Sequence, residues 1–152
     1  MKHVTIYTDG ACLGNPGPGG YGVILSYNGK EKEISKGFKN TTNNRMELRA
    51  VIEGLKALKE NCDVTIVTDS KYVAEAMQKG WVAKWKANGW KRNKKEKALN
   101  IDLWEQLLDL CEKHNVKFEW ISGHSGHPQN ERCDKMAVNA AKQKDLLEEE
   151  KR

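Results

Sequence analysis

The 152-residue sequence contains no C-x-x-C pair, no fixed-period repeat and no low-complexity tract. No apolar run approaches the ~20 residues that cross a bilayer. Its four cysteines, Cys12, Cys62, Cys111 and Cys133, are widely scattered, so a disulfide framework is not expected. The N-terminus enters strand-like sequence after two residues, with no apolar signal segment. Together with a mean hydropathy of −0.77, these absences lead us to expect a soluble cytoplasmic protein with no membrane partner, and plainly a monomer. The length suits one domain that buries roughly 68–70% of the surface its unfolded chain exposes.

What is present is unevenly placed charge. The formal net charge is +5. Residues 80–100 hold seven basic side chains (Lys84, Lys86, Lys91, Arg92, Lys94, Lys95, Lys97) against one acid, Glu96, while the rest of the chain has nineteen basic and twenty acidic residues. Three of the five tryptophans, Trp81, Trp85 and Trp90, fall in the same stretch. Basic residues interleaved with aromatics suit a surface that follows a phosphate backbone and packs on sugars or bases. A solvated lysine-rich helical face is the alternative reading.

Residues 3–8 alternate between apolar and polar, and residues 21–27 and 31–38 flank Asn28-Gly29, a tight hairpin turn signal. Three antiparallel strands are therefore expected first. The glycines and prolines between Asp9 and Gly20 predict a loop there. Leu48, Val51, Ile52, Leu55 and Leu58 recur at helical spacing after the polar run 40–44, predicting a helix that ends near Asn61. Residues 64–68 read as a strand, and Ser70 as the cap of a helix that stops at Gly80. Asn100 is positioned to cap a helix with Ile101, Trp104, Leu107, Leu108 and Cys111 on one face. Val116, Phe118 and Trp120 alternate as a last strand, and a final helix follows the loop 122–128. The order β-β-β-α-β-α-α-α-β-α predicts an α/β fold: a mixed five-stranded sheet, antiparallel strands continuing into parallel ones, flanked by helices. We expect one domain over 1–144 with a basic arm near 80–100, and a short charged tail over 145–152 that frays.

In such sheets ligands sit beyond the carboxyl ends of the strands. Two strand ends look alike, Ile6-Tyr7-Thr8-Asp9-Gly10 and Ile66-Val67-Thr68-Asp69-Ser70, so both aspartates can meet at one sheet edge. Taken singly, either also fits a turn or a helix cap. Glu47, expected in the first turn of the first helix, and Asp134, in the first turns of the last, also fit a favourable helix-dipole charge.

The segments Thr8 to Gly20 (TDGACLGNPGPGG), Thr41 to Leu48 (TTNNRMEL), Thr68-Asp69-Ser70 and Gly123 to Asp134 (GHSGHPQNERCD) resemble the bacterial type 1 ribonucleases H, in that family's order and over residues 3–142. The resemblance implies that Asp9, Glu47, Asp69 and Asp134 hold divalent metal. One or two magnesium ions are implied, with manganese a possible substitute. It also implies hydrolysis of the RNA strand of an RNA–DNA hybrid by in-line attack of water, with little sequence specificity. His124 is given a proton-handling role, which suits an imidazole near neutral pH. Cys12, Asn15, Asn43 and Asn44 match positions lining the hybrid's minor groove. The asparagines also fit loop and cap chemistry, and Cys12 a small filler. Glu131 is a weaker candidate for assisting metal or product exchange. Nucleic-acid contacts are further expected from Lys71, Trp81, Trp85, Lys86 and Lys91.

The chain departs from the family pattern twice. Lys71 stands where relatives commonly carry glutamine, exchanging a donor–acceptor amide for a donor-only cation. Gly80 is an extra residue at the joint carrying Trp81 and Trp85, and it should loosen that joint. Three other readings compete: a catalytically silent hybrid-binding module, a DNA-acting relative on the same fold, and a zinc site built from His124, His127 and Cys133. The four acids speak against the first, the TTNNRME run and the His124 loop against the second, and the lack of a fourth ligand against the third.

Overall fold

The computed structural model describes residues 1–123 and 126–149. Its elements are β1 (Lys2–Cys12), β2 (Gly17–Tyr27), β3 (Lys30–Thr41), α1 (Asn43–Lys56), β4 (Cys62–Thr68), α2 (Lys71–Gln78), α3 (Trp81–Ala87), α4 (Ile101–Lys113), β5 (Asn115–Trp120) and α5 (Pro128–Ala141). The strands form one sheet in the order β3-β2-β1-β4-β5. The first three are mutually antiparallel, and β4 and β5 continue in parallel from β1. Both the expected element order and the mixed sheet are observed. Among the described residues, no helix is long and apolar enough to cross a membrane.

The hairpin turn between β2 and β3 places Asn28 and Gly29 at φ 49° and 77°, the positive pair that a two-residue turn requires. The loop expected from Asp9 to Gly20 is much shorter. β1 and β2 pair as far as Gly10↔Tyr21, Ala11↔Gly20 and Cys12↔Gly19, leaving only residues 13–16 outside the strands. The reason lies across the sheet. A Cβ on Gly20 would sit 2.5 Å from the Ala137 carbonyl oxygen, and one on Gly22 or Gly37 would strike the carbonyls of Cys133 or Ala140. Gly20 and Gly37 are register partners, so these glycines form a floor against which α5 rests its backbone.

Side chains alternate between sheet faces, so residues paired with Gly20 and Gly22, which are Ala11 and Asp9, share the α5 side. Gly10 faces the other way, against Met46 and Glu47 of α1. The core between sheet and α1 includes Ile6, Val23, Met46, Leu48, Ile52 and Ile66, all fully buried. Leu103, Trp104 and Leu107 of α4 extend it.

Caps explain several helix starts. Thr42 Oγ1 accepts from Arg45 N (3.2 Å) and Ser70 Oγ from Val73 N (3.2 Å). Asn100 precedes α4 but its side chain does not cap it. It accepts from Arg45 Nη1 (3.2 Å) and donates to the Tyr72 hydroxyl (3.0 Å). α1 ends at Lys56 rather than near Asn61, while Leu58 still packs on the core from the following turn. Trp120 does not complete an inward stripe on β5; it is 41% exposed.

The tail does not fray over its described part. Leu147 N donates to Gly37 O (3.0 Å) and Lys39 N to Leu147 O (2.8 Å), beside β3. The side chain of Glu149 is wholly buried and accepts from Thr41 Oγ1 (2.8 Å), Arg45 Nε (2.9 Å) and Arg49 Nε (2.6 Å). A charged segment docks here because three donors satisfy the carboxylate that its composition would otherwise leave to water.

Candidate active site

β1 and β4 run parallel up to Tyr7↔Val67 and then diverge. Asp9 follows on β1, and Asp69 stands immediately after β4. Glu47 is the fifth residue of α1, one turn later than expected, and reaches the same place because Gly10 offers no side chain. A Cβ there would lie 2.5 Å from Glu47 N. The Gly10 amide donates to Asp9 Oδ1 (2.9 Å) and to Glu47 Oε1, drawing both carboxylates to one backbone N–H. Asp9, Glu47 and Asp69 each offer an oxygen, all within 4.8 Å of one another. Asp9 is 7% exposed and Glu47 4%.

Both buried acids are held above the usual carboxylate range. For Asp9 the main cause is burial, followed by the neighbouring Glu47 and the charges of Asp69 and Asp134. For Glu47 it is also burial, with Asp69 adding, although hydrogen bonds from Asp9, the Gly10 amide and Ser70 work the other way. Repulsion among closely placed carboxylates is relieved when a cation enters. An all-oxygen donor set suits a hard divalent ion such as magnesium. The residues present therefore fit a metal centre.

Asp134, on α5, is exposed and does not belong to the tight group of three, but it lies beside it. One cleft of about 260 Å³ is lined by Asp9, Asp69, Asn130, Glu131, Asp134 and the loop residues Ser122 and Gly123. A second, of about 380 Å³, is lined by Asp9, Glu47, Asp69, Asp134, Asn43, Asn44, Ser70 and Lys71. Asp9, Asp69 and Asp134 are common to both, so the acids stand at the junction of two clefts. His124 lies outside the described residues. Cys133 is buried and its thiol donates to the Tyr7 carbonyl (3.4 Å), which is not the disposition of a zinc ligand.

The expected groove residues gather near this junction. Asn43 and Asn44 open α1 and are exposed. Asn15 Oδ1 accepts from Asn43 N (3.1 Å), tying the loop 13–16 to the helix start. Cys12 Sγ approaches the carbonyls of Gly14 (2.7 Å), Gly17 (3.4 Å) and Thr41 (3.4 Å), bracing the same loop. Lys71 places Nζ 5.0 Å from the ring centroid of Trp120, whose Nε1 donates to the Asp69 carbonyl (3.0 Å). The basic arm presents some of its expected residues outward and packs others inward. Trp81 is exposed, as are Lys86 and Lys91, whereas Trp85 packs edge-on against Trp104 at 6.0 Å and Trp90 also packs against the core. Trp85 thus also helps anchor α3 on the core. A tryptophan in a basic run gives no local sign of a buried partner 19 residues away.

A family model for RNase H matches residues 1–142. The chain belongs to the RNase H family. A Ribonuclease H from Desulforamulus reducens is 66% identical over 146 residues, covering 96% of this chain and 92% of its own. A Ribonuclease HI from Synechocystis is 58% identical over 138 residues, 90% of this chain and 86% of its own. Among solved structures, LC9-RNase H1, a type 1 RNase H with the type 2 active-site motif, superposes with a TM-score of 0.82 at 36% identity, covering 93% of this chain and 72% of that one.

Several residues beside the acids carry no signal in the sequence. Gly10 and Gly123 allow close approach, and a Cβ on Gly123 would lie 3.0 Å from Asp69 Oδ2. Ser70 lines the same cleft as Glu47 as well as capping α2. Asn130 lies inside a quoted motif, yet nothing local distinguishes it from any polar residue at a helix start.

Proposed function

We infer that this chain is an endonuclease that hydrolyses the RNA strand of RNA–DNA hybrids with little sequence specificity. Its magnesium is held by Asp9, Glu47, Asp69 and Asp134, with manganese as a substitute. The observation that carries this reading is the convergence of three carboxylates within 4.8 Å at the diverging strand ends of an RNase H family chain. When bound, divalent metal supplies an activated water on one side of the phosphodiester and charge stabilisation for the leaving oxygen on the other.

The protein's own groups do the rest. Glu47, fixed by the Gly10 amide, gives the buried wall of the site, and Asp134 its open side. Asn43 and Asn44, with Asn15 and Cys12 bracing the adjoining loop, offer short polar groups to sugar hydroxyls. Such contacts distinguish RNA by its 2′-hydroxyl. Lys71 presents an ammonium beside the acids where an amide would read a base edge, which suits phosphate contact. Trp81, Lys86 and Lys91 extend the surface along the arm near residues 80–100. His124 is assigned proton handling and Glu131 a minor part in metal or product exchange. The chain acts as one domain, with the tail docked through Leu147 and Glu149, and works as a cytoplasmic monomer.

The test is cleavage of an end-labelled RNA–DNA hybrid beside single-stranded RNA, duplex RNA and duplex DNA, in magnesium and in chelator, with wild type and Asp69→Asn. Cutting of the hybrid's RNA alone, by wild type with metal alone, is expected. Binding without cutting would indicate a silent module, and cutting of duplex DNA a DNA-acting relative.

A further inference from the structure

Asn130 is the third residue of α5 and faces the cleft lined by Asp9, Asp69 and Asp134. Its Nδ2 donates to the Val67 carbonyl (3.1 Å) and reaches the Thr8 carbonyl (3.5 Å). Those two carbonyls belong to different strands, β1 and β4, at the point where their ladder ends. Thr8 directly precedes Asp9, and Val67 stands two residues before Asp69. An amide NH2 has two hydrogens, so one side chain can serve both strands. The orientation is determined by these partners, because a flipped amide would aim an acceptor at two acceptors. Oδ1 is thereby left buried with no partner among the described residues. A leucine or methionine would seat α5 on the sheet without leaving such an acceptor unpaired. Packing is therefore not what this asparagine supplies.

We propose that Asn130 is a positioning residue that clasps the diverging ends of β1 and β4 and sets the relative placement of Asp9, Asp69 and Asp134. This rests on the reading of those acids as the metal-holding set. Residues four apart share one face of a helix, so α5 carries Asn130 and Asp134 on the same side. The clasp thus ties the strand ends bearing two of the acids to the helix bearing a third. Glu47 is outside its reach, being held through Gly10. Residues that orient metal ligands from behind typically contribute 10–100-fold to metal affinity or activity when removed. Asn130 acts through backbone carbonyls, so the lower end applies.

The experiment measures melting temperature against magnesium concentration for wild type, Asn130→Ala, Asn130→Gln and Asn139→Gly, with the magnesium dependence of hybrid cleavage alongside. Asn139 is exposed on the same helix, so a glycine there weakens α5 without touching the site. The magnesium midpoint should rise about tenfold in Asn130→Ala, with KM for hybrid unchanged. In Asn139→Gly the midpoint should stay at the wild-type value although the protein melts lower. If alanine prevents folding, Asn130→Gln carries the test, since its amide is displaced by one methylene and should also raise the midpoint. A midpoint within about twofold of wild type for the Asn130 variants, or an equal shift in Asn139→Gly, overturns the clasp while the metal site stands. A wild type that shows no response to magnesium overturns the metal-site reading and the clasp together.

Discussion

Removing the Glu149 carboxylate should cost more than its place near the end of the chain suggests. The side chain is fully buried, and Thr41, Arg45 and Arg49 all donate to it. Deleting one partner of a buried ion pair typically costs about 3–5 kcal/mol, because the other charge stays behind. Arg45 retains Asp102, at 3.0 and 2.7 Å, so the lower figure applies to Glu149→Ala, about 3 kcal/mol. In a protein of this size that lowers the melting temperature by about 6–12 °C. The pH dependence has a definite sign. Burial raises the pKa of Glu149, but hydrogen bonds from Arg45, Arg49 and Thr41 outweigh it and hold the group below its ordinary value; Asp102, bonded to Arg45, behaves likewise. A carboxylate depressed in the folded state stabilises fully above its unfolded value and loses that contribution as pH falls through the folded one. The gap between wild type and Glu149→Ala should therefore be flat from about pH 6 to 8 and close below about pH 4. Thermal unfolding followed by circular dichroism across that range measures it. Hybrid cleavage well below the melting transition should be unchanged. Equal melting at pH 7, or a gap that widens in acid, would refute the assignment of the tail as part of the fold.

In chelator, Asp9→Asn should be more stable than wild type by on the order of 1–3 kcal/mol and melt higher, because a buried acid whose folded pKa is raised costs stability once pH exceeds its unfolded value. The difference should shrink toward pH 4, and saturating magnesium should raise the wild type more than the variant; equal gains would speak against Asp9 as a ligand. Replacing Lys86 and Lys91 with alanine should flatten the slope of log affinity for hybrid against log salt by about one to two units, and an unchanged slope would place the nucleic acid elsewhere. Gly80 joins α2 to α3 at φ 71° with open space around it, so Gly80→Ala strains the joint by about 1–2 kcal/mol and should alter hybrid affinity more than single-turnover cleavage; unaltered affinity would show that the joint does not set the arm.

Much of the fold was legible because its signals are local. Alternation marked the strands, Asn28-Gly29 the hairpin, and Thr42 and Ser70 stand at the helix starts they cap. Several features that local signals do not carry belong to residues whose conformation answers to a partner far along the chain. Trp85 answers to Trp104, Asn100 to Arg45 and Tyr72, and Glu149 to arginines about a hundred residues away. A charged tail reads as solvated unless those arginines are known to be waiting for it. The acids were no more legible singly. Asp9 and Glu47 are 38 residues apart, and only the family resemblance brought them together before the structure did.

Gly10 illustrates how local and distant meaning diverge in one residue. Within Asp9 to Gly20 it counts as one more glycine in a loop, and on that reading its worth is flexibility. It is paired in a regular ladder with Tyr21, so flexibility is not what it provides. Its missing Cβ admits the backbone of α1, and its amide then holds Asp9 and Glu47 on a single donor. The strand supplies the first acid and the helix the second. Their encounter depends on Gly10 having no side chain.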